Sequence, residues 1–312
     1  AGAFISTGFY NIIVGGLAGD ALTSGNSNIV IGHGALTTET QGDRNVAIGT
    51  QALQLQNNTS SVDVYNVAVG YKAGNQVTTG VKNTLIGGLA GDALTTGQKN
   101  IAIGYNALTN EDEHGFNVAI GSDALRDLNA GNDAYNVAVG ASAGATMSTG
   151  IYNTLIGGLS GNALTTGVRN VAVGYNSLGS EDTGNRNIAI GDGALANLNY
   201  NGNGYNVAIG LNAGTNVTTG IQNTLIGGLA GDALTTGSDN VVLGYNAMSA
   251  DDAGGRNVAI GSHALHIQNG GDANVYNIGI GYNAGASMTS GLQNTIIGGL
   301  AGDALTTGSN NI

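Results

Sequence analysis

The sequence predicts an all-β chain wound as a parallel β-roll or β-solenoid, with rungs of about 17 residues grouped in four-rung super-repeats. Three observations predict it: a short motif returning at a near-fixed interval, β-branched residues alternating within it, and glycine and asparagine bounding its apolar stretches. The motif is Asn, two or three apolar residues, then Gly. It starts at Asn11, Asn28, Asn45, Asn66, Asn83, Asn100, Asn117, Asn136, Asn153, Asn170, Asn187, Asn206, Asn223, Asn240, Asn257, Asn277 and Asn294, and begins again at Asn311. Most steps are 17 residues, whereas those leaving Asn45, Asn117, Asn187 and Asn257 are 19 to 21. The longer steps mark off groups of four rungs, and so NTLIGGLAGDALTTG at 83–97 returns unchanged at 223–237.

Each column then has an expected role. Counting the motif Asn as zero, Val or Ile usually fills the first and third positions and Gly the fourth. Ala or Ser fills the seventh, and a larger apolar residue stands at the eighth (Leu108, Leu125) or the eleventh (Val77, Leu94). Alternating β-branched residues between turn formers read as strands. The spacing predicts two strands of about five residues per rung, each pairing with the rungs above and below. Rungs stack about 4.8 Å apart, so seventeen would extend about 80 Å and identical residues would form ladders. Asn83, Asn100, Asn117, Asn136, Asn153 and Asn170 are expected to form one, each amide donating to one neighbour and accepting from the next. The third position, Ile103 for example, is expected to face the core. The second, where Leu85, Leu155 and Leu225 replace the commoner Ala, is expected to face outward. Strands apolar on both faces are buried on both, so this Leu column is assigned to contact with another copy of the chain.

Composition narrows the function. The chain has 312 residues, 56 of them Gly, no Pro and no Cys, and a net charge of -12. With eight Lys plus Arg and no basic stripe in the linear sequence, nucleic acid is not an expected partner. No apolar run reaches the roughly 18 residues of a membrane span, so no membrane insertion by this segment is expected. Residues 1–312 read as one repetitive domain, uncapped at both ends and therefore a segment of a longer fibre: AGAFISTGFYN opens in mid-unit and Asn311-Ile312 stops two residues into the next.

NVAIG, NIAIG and NVAVG, followed two residues later by Ala, resemble the head repeats of trimeric autotransporter adhesins, the YadA-like heads. NIAIGYNAL and NTLIGGLAG are also similar to repeats of phage and marine viral tail-fibre proteins. The resemblance implies a left-handed β-roll, a homotrimer, and an adhesive role on a cell surface or virion. It departs from the adhesins in its 17-residue unit and in showing no neck, stalk or anchor. The expected function is thus a structural and adhesive extracellular fibre, a rigid repetitive rod. Its partners would be itself, as homotrimer or fibre, and a host-cell or surface receptor, with a glycan as one candidate class. A viral tail-fibre shaft is the alternative carrier; a self-polymerising matrix filament and an ice-binding solenoid are further readings.

No catalytic residue and no cofactor is expected. Glycosidases on solenoids need two carboxylates in a unique cleft, whereas loop length here varies by no more than four residues. The histidines His33, His114, His263 and His266 read as solvated surface groups. Glu39, Glu111, Glu181 and Asp251 share the eleventh position. Glu111 with Asp112, Glu181 with Asp182 and Asp251 with Asp252 are calcium candidates, although their spacing lacks the ligand alternation of a calcium loop, and a solvated acidic ridge is the plainer expectation. Thr95-Thr96 and Thr235-Thr236 lack the alternation of a flat ice-binding face. Tyrosines fill the column before Asn (Tyr65, Tyr135, Tyr205, Tyr276) and the fifth position (Tyr71, Tyr105, Tyr175, Tyr245, Tyr282), where packing at bends is expected, with glycan or protein contact as the functional alternative.

Overall fold

A computed structural model describes residues 1–58, 60, 62–271 and 274–312. The described chain is all-β, and it divides into two compact units, Ala1–Asn153 and Thr154–Ile312. In the first unit, parallel strands run from β1 (Ile12–Val14) to β8 (Val137–Val139); in the second they run from β9 (Thr154–Ile156) to β17 (Thr295–Ile297). Within each unit, successive strands pair in parallel with like residues in register, as where Ile101, Ala102 and Ile103 meet Val118, Ala119 and Ile120. Each unit is therefore a coil of stacked turns, one motif Asn per turn. Among the described residues no helix is long and apolar enough to cross a membrane.

The strands are three residues long, not five, and each rung has one, not two. The cause lies in the backbone of the second segment. Positions six and eight adopt positive φ in rung after rung, as at Leu89 (φ 60), Gly91 (φ 56), Asn106 (φ 54) and Leu108 (φ 53). Left-handed residues bend the chain out of the extended conformation. The bends still stack: Gly91 N–H donates to the Ala107 carbonyl at 2.9 Å, and Thr95 N–H to the Asp112 carbonyl at 2.6 Å.

The facing of the strand is the reverse of the sequence expectation. Position two points inward: Ala47, Ala68, Leu85, Ala102, Leu155 and Leu225 are all fully buried. Leu85, Leu155 and Leu225 therefore line the coil's own core, and the assignment of that column to an oligomer face is corrected. Ile103 is half-exposed on the outer surface, beside Ile101 and Ile86 at 36% and 37% exposure. A 17-residue turn encloses little space. Ala, with one larger residue per neighbourhood, fills it, while the wide β-branched side chains stand outside and pack along their own columns.

The interior is balanced between rungs. A Cβ on Gly91 would lie 2.8 Å from both Leu85 Cδ2 and Leu94 Cδ1, and one on Gly74, in the rung before, would lie 2.6 Å from Leu85 Cδ1. Where position two is Leu, position eight is therefore Gly in that rung and its predecessor. Where position two is Ala and the next rung also offers Ala, position eight is Leu, as at Leu108 and Leu125.

The asparagine ladder forms with a division of labour. The Oδ1 of each ladder residue accepts the backbone N–H of the next: Asn83 from Asn100 at 2.9 Å, Asn100 from Asn117 at 3.0 Å, Asn136 from Asn153 at 2.9 Å. The amide nitrogen mainly donates to a carbonyl 14 residues on, Asn83 to Gly97 at 2.9 Å and Asn170 to Gly184 at 2.8 Å, closing its own turn. Direct amide-to-amide bonds are added in some rungs, as from Asn240 to Asn223 at 3.1 Å.

Candidate functional site

The acidic column is the clearest departure from the sequence reading. Glu39, Glu111, Glu181 and Asp251 are fully buried, not solvated. Position eleven is an interior column, filled by Leu94 or Met147 elsewhere, and here the carboxylates replace those side chains. Each anchors a turn. Glu181 Oε1 accepts the Gly184 N–H at 2.7 Å and Oε2 the Tyr200 N–H at 3.3 Å; Glu111 accepts from His114 N–H and Ala130 N–H, both at 3.1 Å. Ala130 and Tyr200 belong to the longer loops that follow Asn117 and Asn187, so the buried acid of one rung holds the extended loop of the next. Where the next rung offers Gln at position eleven, the side chains pair directly, Gln56 to Glu39 at 2.8 Å and Gln268 to Asp251 at 2.9 Å. Burial pushes the carboxyls of Glu111, Glu181 and Asp251 above their usual range, against the backbone donors that favour the ionised form.

That geometry bears on the calcium candidates. The oxygens of Glu111 and Glu181 are engaged by backbone donors and those of Asp251 by the Gly254 N–H and the Gln268 amide, and the main-chain carbonyls of Asp112, Asp182 and Asp252 accept threonine hydroxyls from the preceding rung, Thr95 to Asp112 at 2.9 Å and Thr235 to Asp252 at 2.8 Å. Among the described residues, Glu111, Asp112 and His114 form the one group whose potential ligand atoms lie within 4.8 Å of one another. Its imidazole departs from the all-oxygen set that calcium takes. His263 and His266 come together edge to face at 5.1 Å beside Tyr245, and His266 Nδ1 meets the Ser249 hydroxyl at 2.8 Å; His33 is exposed.

A second, half-buried acid was missed in the sequence. At position nine, Asp92 and Asp232 each hold an Oδ1 shielded from solvent with no hydrogen-bond partner, and burial raises both carboxyls. The equivalent Asn162, with its amide turned to donate, reaches Leu159 O at 3.0 Å and Gly179 O at 2.9 Å. The site is thus built for a donor. Asp92→Asn is expected to stabilise the first unit by about 1 kcal/mol at neutral pH. The sign follows from linkage: a carboxyl raised in the folded state binds more protons there than when unfolded, so its contribution improves as pH falls. The advantage of the Asn variant should shrink as pH is lowered from neutral toward the ordinary carboxylate range, followed by urea denaturation at each pH. An advantage that stays constant with pH would place the effect elsewhere.

The tyrosine columns lie at the surface. Tyr65, Tyr135 and Tyr205 before the ladder Asn, and Tyr71, Tyr105 and Tyr175 at position five, are each about half exposed. Arg44 lies over the Tyr65 ring, 5.5 Å from its centroid, and Arg186 over Tyr205 at 5.6 Å. Comparison with protein-family models, with curated proteins and with solved structures gives no match to this chain.

Proposed function

We propose that the chain serves as a structural and adhesive segment of an extracellular fibre, on a cell surface or virion, assembled as a homotrimer of left-handed coils. The observation that carries this reading is the outward strand face. Positions one and three present two parallel columns, mostly Val and Ile, in each unit, with Thr84, Thr154, Thr224 and Thr295 interrupting the first and Ile86, Ile101, Ile156 and Val241 each more than a third exposed. A two-sided apolar parallel sheet is ordinarily covered on both faces, and a long exposed apolar patch marks an interaction site. Neighbouring copies carry the same columns at the same rung spacing, so side-by-side packing repeats its contacts from rung to rung. The oligomer face thus moves from the Leu column to Val and Ile, and the short NVAIG-like motifs support the adhesin-like assembly.

Sedimentation and native mass spectrometry test it. The chain is expected to be a trimer, and Ile101→Asp with Ile103→Asp is expected to give a folded monomer, because both side chains stand on the outer face. A wild-type chain that is monomeric at micromolar concentration would remove the assembly, and with it the fibre reading.

A further inference from the structure

One surface column joins positive charge to a backbone conformation that is costly for side chains. It is the position immediately before the ladder Asn. Six of the eight cationic residues occupy it, Arg44, Lys82, Lys99, Arg169, Arg186 and Arg256, leaving only Lys72 and Arg126 elsewhere. Aromatic residues take most of its other places, and its one carboxylate is Asp239. In a chain of net charge -12, this is where positive charge collects.

The backbone makes the choice of residues informative. The whole column is left-handed, including Lys99 (φ 56), Phe116 (φ 65), Tyr135 (φ 51) and Tyr152 (φ 62). Gly or Asn adopts that conformation cheaply, and bulky residues do so at a cost. The chain holds 56 glycines yet places none in this column. Backbone cost accepted at a recurring surface position points to a use for the side chains. In the first unit the side chains from Lys99 to Tyr152 are continuous, with Lys82 one rung before: Lys99 Nζ lies 4.7 Å from the Phe116 ring centroid, Phe116 stacks on Tyr135 at 4.9 Å, and Tyr135 on Tyr152 at 5.9 Å. Lys82, Lys99, Tyr135 and Tyr152 are exposed.

We propose that this stretch, Lys82, Lys99, Phe116, Tyr135 and Tyr152, binds a linear anionic polysaccharide, one bearing uronate or sulfate groups. The outward edges of the stacked rings meet the apolar faces of sugar rings, and the ammonium groups take the anions. The rungs repeat about every 4.8 Å, close to the advance of one pyranose along an extended chain, so successive sugars meet successive rungs in register. Two lysines followed by three aromatic rings match a polymer whose charge is sparse. A polynucleotide carries a charge on every residue, more than the two lysines of this stretch can meet. The assignment rests on the attachment role proposed above and specifies its ligand.

Titration calorimetry on the full chain tests it with short oligosaccharides of hyaluronan, which bear a uronate on alternate sugars, of a carrageenan bearing a sulfate on alternate sugars, with neutral dextran, and with oligo(dT). Binding to one or both anionic glycans, weakening as salt rises, is expected. Tyr135→Ala and Lys99→Gln should each weaken it about tenfold, Lys99→Arg should restore it, and Tyr105→Ala, in the other tyrosine column, should leave it unchanged. Circular dichroism confirms that each variant is folded. Binding of neither anionic glycan, equal binding of neutral dextran, preference for oligo(dT), or indifference to Tyr135→Ala and Lys99→Gln would each overturn the proposal. If glycan binding fails while the chain still trimerises, this ligand assignment falls and the fibre reading stands.

Discussion

Ala102→Asp is expected to open the first unit locally, at a cost of several kcal/mol, while Ile103→Asp, one residue on, leaves the coil folded. Ala102 is fully buried between Ala119 in the next rung and Leu85 in the one before, and no cation or free donor is available in that column. An ionised carboxylate there loses its water without a partner, the costliest kind of single substitution. Each rung leans chiefly on its neighbours, so the damage should be confined to the rungs starting at Asn83, Asn100 and Asn117. Native-state hydrogen exchange would show it as faster exchange, by about a hundredfold or more, of the strand amides from Thr84 to Ile120. Ile103 is half-exposed, and its charged replacement reaches water. Its expected effect is on assembly. Equal protection loss in the two variants would mean that the strand faces are not distinguished as described.

The contrast between these neighbours also shows what the sequence could and could not reveal. The rung period, the Asn ladder and the glycine at position four were legible because stacking makes any one rung's need the need of all, so the columns are strict. Strand facing was not legible from hydrophobicity, because Val and Ile look like core and Ala looks like surface. The deciding signal was steric and lay between columns: Leu85, Leu155 and Leu225 occur only where position eight is Gly91, Gly161 or Gly231, and two side chains that exclude each other share one interior. The buried acids carried a similar signal. Glu111 and Glu181 occupy a column otherwise held by Leu94 and Met147, and a position that admits Leu and Met in sister rungs is interior whatever residue replaces them. Counting acidic residues missed this, since charge alone reads as surface. Positive φ in Lys, Arg and Tyr before the ladder Asn was invisible, because propensity would assign Gly or Asn there.

Gly104→Ala should be nearly as damaging as a buried charge, by a different route. Gly104 has φ +140, a backbone region that side chains seldom enter, and its added Cβ would lie 2.4 Å from the Gly121 carbonyl oxygen and 2.5 Å from its carbon. Both atoms belong to the backbone of the next rung, which cannot swing aside as a side chain could. Gly121 stands in the same relation to Gly140 at 2.4 Å, and Gly87 to Gly104 at 2.3 Å, so a shift at one rung meets the same contact at the next. Strain at this φ costs on the order of 1–3 kcal/mol by itself, and separating the rungs to relieve the overlap would lengthen ladder bonds such as Gly104 N–H to the Ile86 carbonyl at 2.8 Å. The sum is expected to be about 3–5 kcal/mol, at the far end of what single substitutions do. Gly131 is the control: it lies in an exposed loop with nothing within 4 Å of its added Cβ, and Gly131→Ala should change stability by less than about 0.5 kcal/mol. Urea denaturation of the two variants, read alongside hydrogen exchange because repeat arrays need not unfold in two states, separates them. If Gly104→Ala were as stable as Gly131→Ala, the rungs could not be stacked through a close glycine column, and the register of the coil would have to be different.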